Sequence, residues 1–246
     1  MSNQWLLEYP NSFVDTAVPS ALADDWSTIR SVSVGWLPPA CSTTVVVPHP
    51  DDEALMFAGV IAHQRQRNLP VHVICVTDGE SAYPGADSTA LASRRRAEQR
   101  DSLCRLGADL GYVSRLGLPD GKVAGAEEVI VDAIVRTESE LILAPWRFDH
   151  HCDHEACGSA ASAAALTTGA QLFEGIFWGW HHTSSTKLDG GELFHFALSP
   201  TLHDAKRDAI GFHTSQLMTD YGTPILSVDS LVPSTWTHEY YVGVRS

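Results

Sequence analysis

Between the apolar run Val45-Val46-Val47 and an apolar, helix-periodic segment starting at Ala54 stands Pro48-His49-Pro50-Asp51-Asp52-Glu53. One imidazole and three carboxylates therefore crowd a strand-to-helix turn. A divalent cation is the simplest means of offsetting their mutual repulsion. Corners of this kind are also where open α/β sheets place their chemistry. The motif thus points to a sheet whose strand ends open on a cleft.

The rest of the chain alternates in the same manner. Thr43 to Val47 reads as a buried strand. A helix follows over 53–67, with Leu55, Ala58, Gly59 and Ala62 on one face. Val71 to Val76 and Tyr112 to Leu116 are further strands, separated by a helix over 91–106 that Gly107 caps. A helix over 126–138 turns Val129, Ile130, Ala133 and Ile134 inward, and Leu141 to Ala144 is a fourth strand. An alanine-rich helix over 154–168, a strand over 172–180, a helix near 204–219 and a strand near 239–244 complete the pattern. The fold class expected is α/β: a Rossmann-like, mostly parallel sheet with helices on both faces and a metal site at the C-terminal strand edge. Residues 1–246 are read as a single domain. Residues 1–40, broken by Pro10, Pro19, Pro38 and Pro39, form an N-terminal extension packed on it, with a helix near 20–30. The first strand-helix turn has no glycine to admit a pyrophosphate, which argues against nicotinamide or flavin binding.

Composition excludes some partners. The formal net charge of −14 repels nucleic acid and anionic membranes on average, and Arg94-Arg95-Arg96 is the sole basic run. No apolar stretch approaches transmembrane length, so membrane insertion is not expected. The start lacks a secretory pattern, and five cysteines are an odd number that reads as reduced thiols in the cytoplasm. An oligomer is left open.

A second cluster, Asp149-His150-His151-Cys152-Asp153-His154-Glu155, also follows a strand and opens a helix. In a parallel sheet such strand ends share one edge, so the two clusters meet in space. His49 and Asp52, three apart, aim one way from a tight turn, and His154 supplies a third ligand. Two imidazoles and one carboxylate leave positions open, which is the ligand count of a catalytic zinc, although iron, cobalt or manganese suits the same donors. Asp51 is then free as general base. His151 faces the same cavity, where, protonated, it serves an oxyanion or a leaving amine, and Asp153 or Asp149 orients it. Either cluster alone is ordinarily a turn or a helix cap; the pair at successive strand ends is what points to function.

These motifs resemble the signature of the PIG-L/LmbE-like zinc-dependent N-deacetylases, which include N-acetylglucosaminyl-phosphatidylinositol deacetylases. Val45 to Glu53 matches the first family motif, and His151-Cys152-Asp153-His154 with Ala156 the second. Lesser matches are Thr77-Asp78-Gly79-Glu80, Arg95 to Glu98, Leu116 to Gly121, Ala144-Pro145-Trp146 and His213-Thr214-Ser215-Gln216. The resemblance implies His49, Asp52 and His154 as ligands of one Zn2+ per chain, with other divalent metals accepted. It implies Asp51 as general base and His151, paired with Asp153, as the electrophilic or acid partner. Arg95 matches a position that contacts substrate hydroxyls, in competition with a surface ion pair to Glu98, and Asp120 is placed in the pocket wall. Cys152 replaces the usual proline, and Asp149 stands where some relatives carry a tyrosine.

The activity implied is metal-dependent hydrolysis of a linear amide. A metal-activated water, with Asp51 as base, removes an N-acetyl or similar N-acyl group from a small amino-sugar-like substrate. Two other readings compete: a dinuclear metallo-β-lactamase-type hydrolase, for which Asp149-x-His151-x-Asp153-His154 is one ligand short, and a non-catalytic metal-stabilised binding module. Loops at 80–90, 119–125 and 181–191 are expected around the site. Tyr83, Trp178, Trp180, His181 and His182 suit stacking on a sugar ring.

Overall fold

The computed structural model describes residues 18, 20–188, 191–218 and 221–243. Its strands form one eight-stranded sheet: β1 (Val34–Gly35), β2 (Thr43–Val47), β3 (Val71–Cys75), β4 (Val113–Arg115), β5 (Leu141–Pro145), β6 (Gln171–Gly175), β7 (Glu192–Ala197) and β8 (His238–Gly243). The spatial order is β1-β7-β8-β6-β5-β2-β3-β4. All pairings are parallel except those of β8, which runs antiparallel to both β6 and β7. The helices are α1 (Ala23–Ser31), α2 (Asp52–Met56), α3 (Ala58–Gln66), α4 (Ser88–Arg105), α5 (Glu127–Val135), α6 (Cys152–Thr168), α7 (Gly179–His182), α8 (Pro200–Gly211), α9 (Thr214–Leu217) and α10 (Val228–Leu231).

Alternation along the strands divides the core. Val45, Val47, Val73, Leu141 and Leu143 face α2, α3 and α8, whereas Val46, Ile74, Ile142 and Ala144 face α5 and α6. The α/β expectation is met. Strand β2 lies between β3 and β5, so the chain leaves it to one side and later returns on the other. A crevice opens at the C-terminal ends of strands at such a reversal. The N-terminal extension joins the sheet edge through β1, paired with β7. It also buries Trp26 against Trp146 and Trp180.

Several elements differ from the sequence reading. Periodicity did not reveal β1 or β7, and the expected strand over 172–180 stops at Gly175, with Gly179–His182 helical. Val129 is 45% exposed rather than inward. The helix expected over 53–67 is two helices, interrupted at Phe57 (φ −126°, ψ 1°). The break has a chemical cause. Gly59 N and Val60 N, which an unbroken helix would direct at Leu55 O and Met56 O, donate to the two oxygens of Glu239 at 2.9 and 3.2 Å. Leu55 O accepts instead from Lys206 Nζ (2.9 Å), and Tyr241 Oη reaches Met56 O (3.1 Å). Lys206 and Glu239 are themselves ion-paired at 2.8 Å. Gly59 is required because a Cβ there would lie 2.8 Å from the Glu239 carboxylate.

Removing one member of a buried ion pair leaves the other uncompensated. Lys206→Met is therefore expected to lower the unfolding free energy by about 3–5 kcal/mol in urea titrations. Adding Glu239→Gln should restore part of that loss, and equal stability of Lys206→Met and the parent chain would contradict this account of the helix break.

Candidate active site

The turn after β2 delivers His49, Asp51 and Asp52 to the crevice. Asp51 adopts φ 145°, a conformation that costs a non-glycine residue energy and persists only where the surroundings enforce it. Its N–H donates to Glu53 Oε2 at 3.2 Å, and its carbonyl accepts from Ala54 N and Leu55 N. Asp52 opens α2 with a carboxylate that is 2% exposed as a residue.

Two histidines from separate strand ends converge on that carboxylate. His49 Nδ1 lies 3.3 Å from Asp52 Oδ2, and His154 Nε2 lies 3.3 Å from Oδ1. Each ring has its other nitrogen on a further acid. His49 Nε2 is 3.1 Å from Asp153 and 3.2 Å from Asp120, while His154 Nδ1 is 2.7 Å from Asp149. Asp149 is anchored in turn by the N–H groups of Phe177, Trp178 and Gly179. Asp153 is anchored by those of Gly121 and Val123, and Asp120 by Ser81 N. Carboxylates behind ligating histidines fix ring orientation and tautomer in this way at metal centres.

The donor set fits a divalent cation. Two donors about 2.1 Å from a tetrahedral ion stand about 3.4 Å apart, close to the 3.3 Å separating Asp52 from each imidazole. Among the described residues, donor atoms of His49, His151 and His154, and of His49, Asp120 and Asp153, fall within 4.8 Å of one another, so His49 belongs to both groupings.

The acids also set the protonation. Burial disfavours charge on His49 and His154, but their carboxylate neighbours outweigh it: His49 is raised well above its ordinary value and His154 to about 9. Burial opposes ionisation of Asp52 as well, yet the two imidazoles hold it far below the usual carboxylate range. Burial pushes Asp51 up to about 6 despite the Arg95 charge beside it. His151 falls to about 4 through burial and the neighbouring His154 and His49.

His49, Asp51, Asp52, Arg95, Asp120, His151 and His154 line this crevice and Asp153 meets His49 there, but some have different contacts from those expected. The Asp153 carboxylate meets His49 rather than the His151 side chain; His151 Nδ1 instead accepts from Asp153 N at 3.3 Å. Arg95 is 3% exposed and donates to Asp51 Oδ2, Pro50 O and Gly79 O, not to Glu98. Gly79 (φ 66°) has no Cβ to displace that guanidinium. Glu53, assigned from the sequence to favour the helix N-terminus, is a fully buried hub that accepts from His213, Ser102, Gln99 and Asp51 N. The sole signals for it were the acidic run and the distant His213-Thr214-Ser215-Gln216 segment. The loops at 80–90 and 119–125 line the cavity through Ala82 and Asp120, and Trp178 is in its wall. Leu55, Phe177, Gln216, Ile225 and Leu226 complete the wall, to which none of the described residues of 181–191 contributes. Trp180 packs in the core, and Tyr83 Oη donates to Ser215 O. The cavity holds about 100 Å³.

A mostly parallel α/β sheet with a His/Asp cluster suited to a metal at its topological reversal defines the class. Residues 44–165 match the family described as PIG-L: GlcNAc-PI de-N-acetylase, and this part of the chain is a PIG-L family domain. A probable N-acetyl-alpha-D-glucosaminyl L-malate deacetylase 2 of Bacillus subtilis (strain 168) is 30% identical over 131 residues, covering 49% of this chain and 58% of that protein. The chain thus spans little more than half the length of that relative. Among solved structures, the antimicrobial A40926 pseudoaglycone deacetylase superposes with a TM-score of 0.64 at 20% identity, over 84% of this chain and 97% of its own. A 4-carboxy-2-hydroxymuconate hydratase of Pseudomonas putida KT2440 does so with a TM-score of 0.53 at 15% identity, over 83% and 97%. These two share the fold. No helix among the described residues is long and apolar enough to cross a membrane.

A cation entering between Asp52 and the two imidazoles must displace their protons. Metal affinity is therefore expected to rise with pH through neutrality and on to about 9, where His154 loses its proton. Calorimetry in buffers of different ionisation enthalpy should register released protons. Affinity independent of pH would contradict the assignment.

Proposed function

We propose that this chain is a metal-dependent hydrolase that removes an N-acetyl or similar N-acyl group from a small amino-sugar-like substrate. The observation that carries the reading is the Asp51-Asp52 pair. One carboxylate is clamped between two imidazoles, and its neighbour faces the same cavity in an enforced conformation. The fold is shared with a hydratase, so the sheet alone does not choose the reaction; the names of the curated relatives favour amide hydrolysis. The chain is read throughout as one catalytic domain, which the pairing of β1 with β7 supports.

His49, Asp52 and His154 would hold the cation, with zinc the ion best suited to two imidazoles and a carboxylate. Such a cation supplies Lewis acidity, withdrawing electron density from an acyl oxygen and acidifying water beside it. Asp51 takes the proton. Arg95 occupies its Oδ2 at 3.2 Å, which directs proton transfer to Oδ1. A carboxyl raised to about 6 accepts and returns a proton near neutrality, where general bases work best. The same carboxyl can then protonate the departing nitrogen.

His151 takes the other side of the acyl group. Its Nδ1 accepts from Asp153 N, so the neutral ring carries its hydrogen on Nε2. With its pKa depressed to about 4, it acts as a neutral donor to the developing oxyanion, an interaction worth a few kcal/mol at such sites. The sequence reading had made it a cation. Asp153, Asp120 and Asp149 contribute by orienting His49 and His154.

Asp51→Asn is expected to keep its metal content and lose about 10²–10⁴ in kcat, measured by acetate release from N-acetylglucosamine and related N-acetyl sugars. The base must be ionised, so the rate should fall as pH drops, with a midpoint at or below about 6 because a nearby cation favours the carboxylate. A metal-loaded Asp51→Asn protein with parental turnover would overturn the base assignment.

A further inference from the structure

Gln216 lines the cavity and is fully buried, yet one end of its amide has no partner. The contacts around it determine which end. Glu98 Oε2 accepts from Ser215 Oγ at 2.6 Å, and a carboxylate has no hydrogen to give back. The single hydroxyl hydrogen of Ser215 is therefore committed to Glu98. Ser215 Oγ lies 2.8 Å from Gln216 and meets it as an acceptor. The amide must turn its NH2 group to Ser215, which leaves the carbonyl oxygen Oε1 as the unpartnered atom.

This orientation is itself enforced. Glu98 also accepts from Ser215 N (2.9 Å) and Thr214 Oγ1 (2.7 Å), so α4 fixes the start of α9. Leu226 N donates to Gln216 O at 3.1 Å, tying the neighbouring cavity wall to the same residue. A buried carbonyl oxygen without a donor is costly, and here it stands in a wall shared with Asp51, Asp52 and Asp120. An ionised phosphate or carboxylate has no hydrogen to offer it. A neutral hydroxyl or amide N–H satisfies it.

Building on the hydrolase reading, we propose that Gln216 is a specificity-determining residue whose Oε1 accepts a hydrogen bond from a neutral donor of the substrate. That donor is a hydroxyl or the N–H of the acyl amide. The role is separate from that of Asp51, because Gln216 holds substrate and moves no proton.

The test uses the full chain, metal-loaded, in an Asp51→Asn background so that ligands are not consumed. N-acetylglucosamine, its singly deoxygenated analogues and its N-methyl amide are titrated calorimetrically into this protein and into one that also carries Gln216→Met. Methionine is close to glutamine in size and lacks the acceptor. The added substitution should weaken N-acetylglucosamine binding roughly ten- to a hundredfold, with urea stability unchanged. The loss should vanish for the one analogue that lacks the donor, which identifies it as a hydroxyl or as the amide N–H. A uniform loss across the set would assign Gln216 a packing role only and overturn the proposal, as would no loss or no binding of any sugar to the Asp51→Asn protein. Turnover separates the two readings. Gln216-dependent binding without acetate release by the parent chain overturns the hydrolase reading and leaves the contact standing. Acetate release with unaltered Gln216→Met binding does the reverse.

Discussion

The site depends on one carboxylate gripped from two sides. Asp52 meets His49 from its own turn and His154 from a helix 102 positions further along the chain, each at 3.3 Å. The sheet order makes this contact. Parallel pairing of β2 with β5, Thr43 opposite Leu141, brings the two strand ends side by side where the chain reverses direction across the sheet. Without that adjacency the acids of the first motif would be an uncompensated cluster.

Compensation extends outward in layers. The imidazoles are held by Asp149, Asp153 and Asp120, and these are held by backbone N–H groups of the surrounding loops. Glu53 ties the strained turn at Asp51 to His213, and Arg95 grips Asp51 and Pro50 from the opposite side. Further back, Glu239 and Lys206 occupy the hydrogen bonds of the break between α2 and α3. Asp52 and Glu53 therefore sit on a short helix fixed at both ends by buried charge.

Much of this was legible in the sequence for a physical reason. Strand–helix alternation follows from periodicity, and dense acids at strand ends need a cation whatever the details. Partner choice inside the core was not legible. Glu53 and Asp149 look like helix-terminal acids, because nothing local reveals that His213 or the N–H groups of 177–179 will meet them. The break at Phe57 is invisible for the same reason, since its cause lies in Glu239, about 180 positions away. Strand β7 was missed because His195 interrupts its short apolar run, whereas β8 was expected near 239–244 but without its antiparallel direction. Asp153 was paired with the nearer histidine in sequence, whereas the sheet presents it to His49.

The central claim is that His49, Asp52 and His154 form the cation site, with His151 left to act on substrate. Anomalous X-ray diffraction at the zinc edge, on crystals of the zinc-loaded chain, tests it most directly. The account predicts one strong peak within about 2.2 Å of His49 Nδ1, His154 Nε2 and an Asp52 oxygen. A peak among His49 Nε2, Asp120 and Asp153, one that takes His151 in place of Asp52, or two peaks of equal height would contradict it.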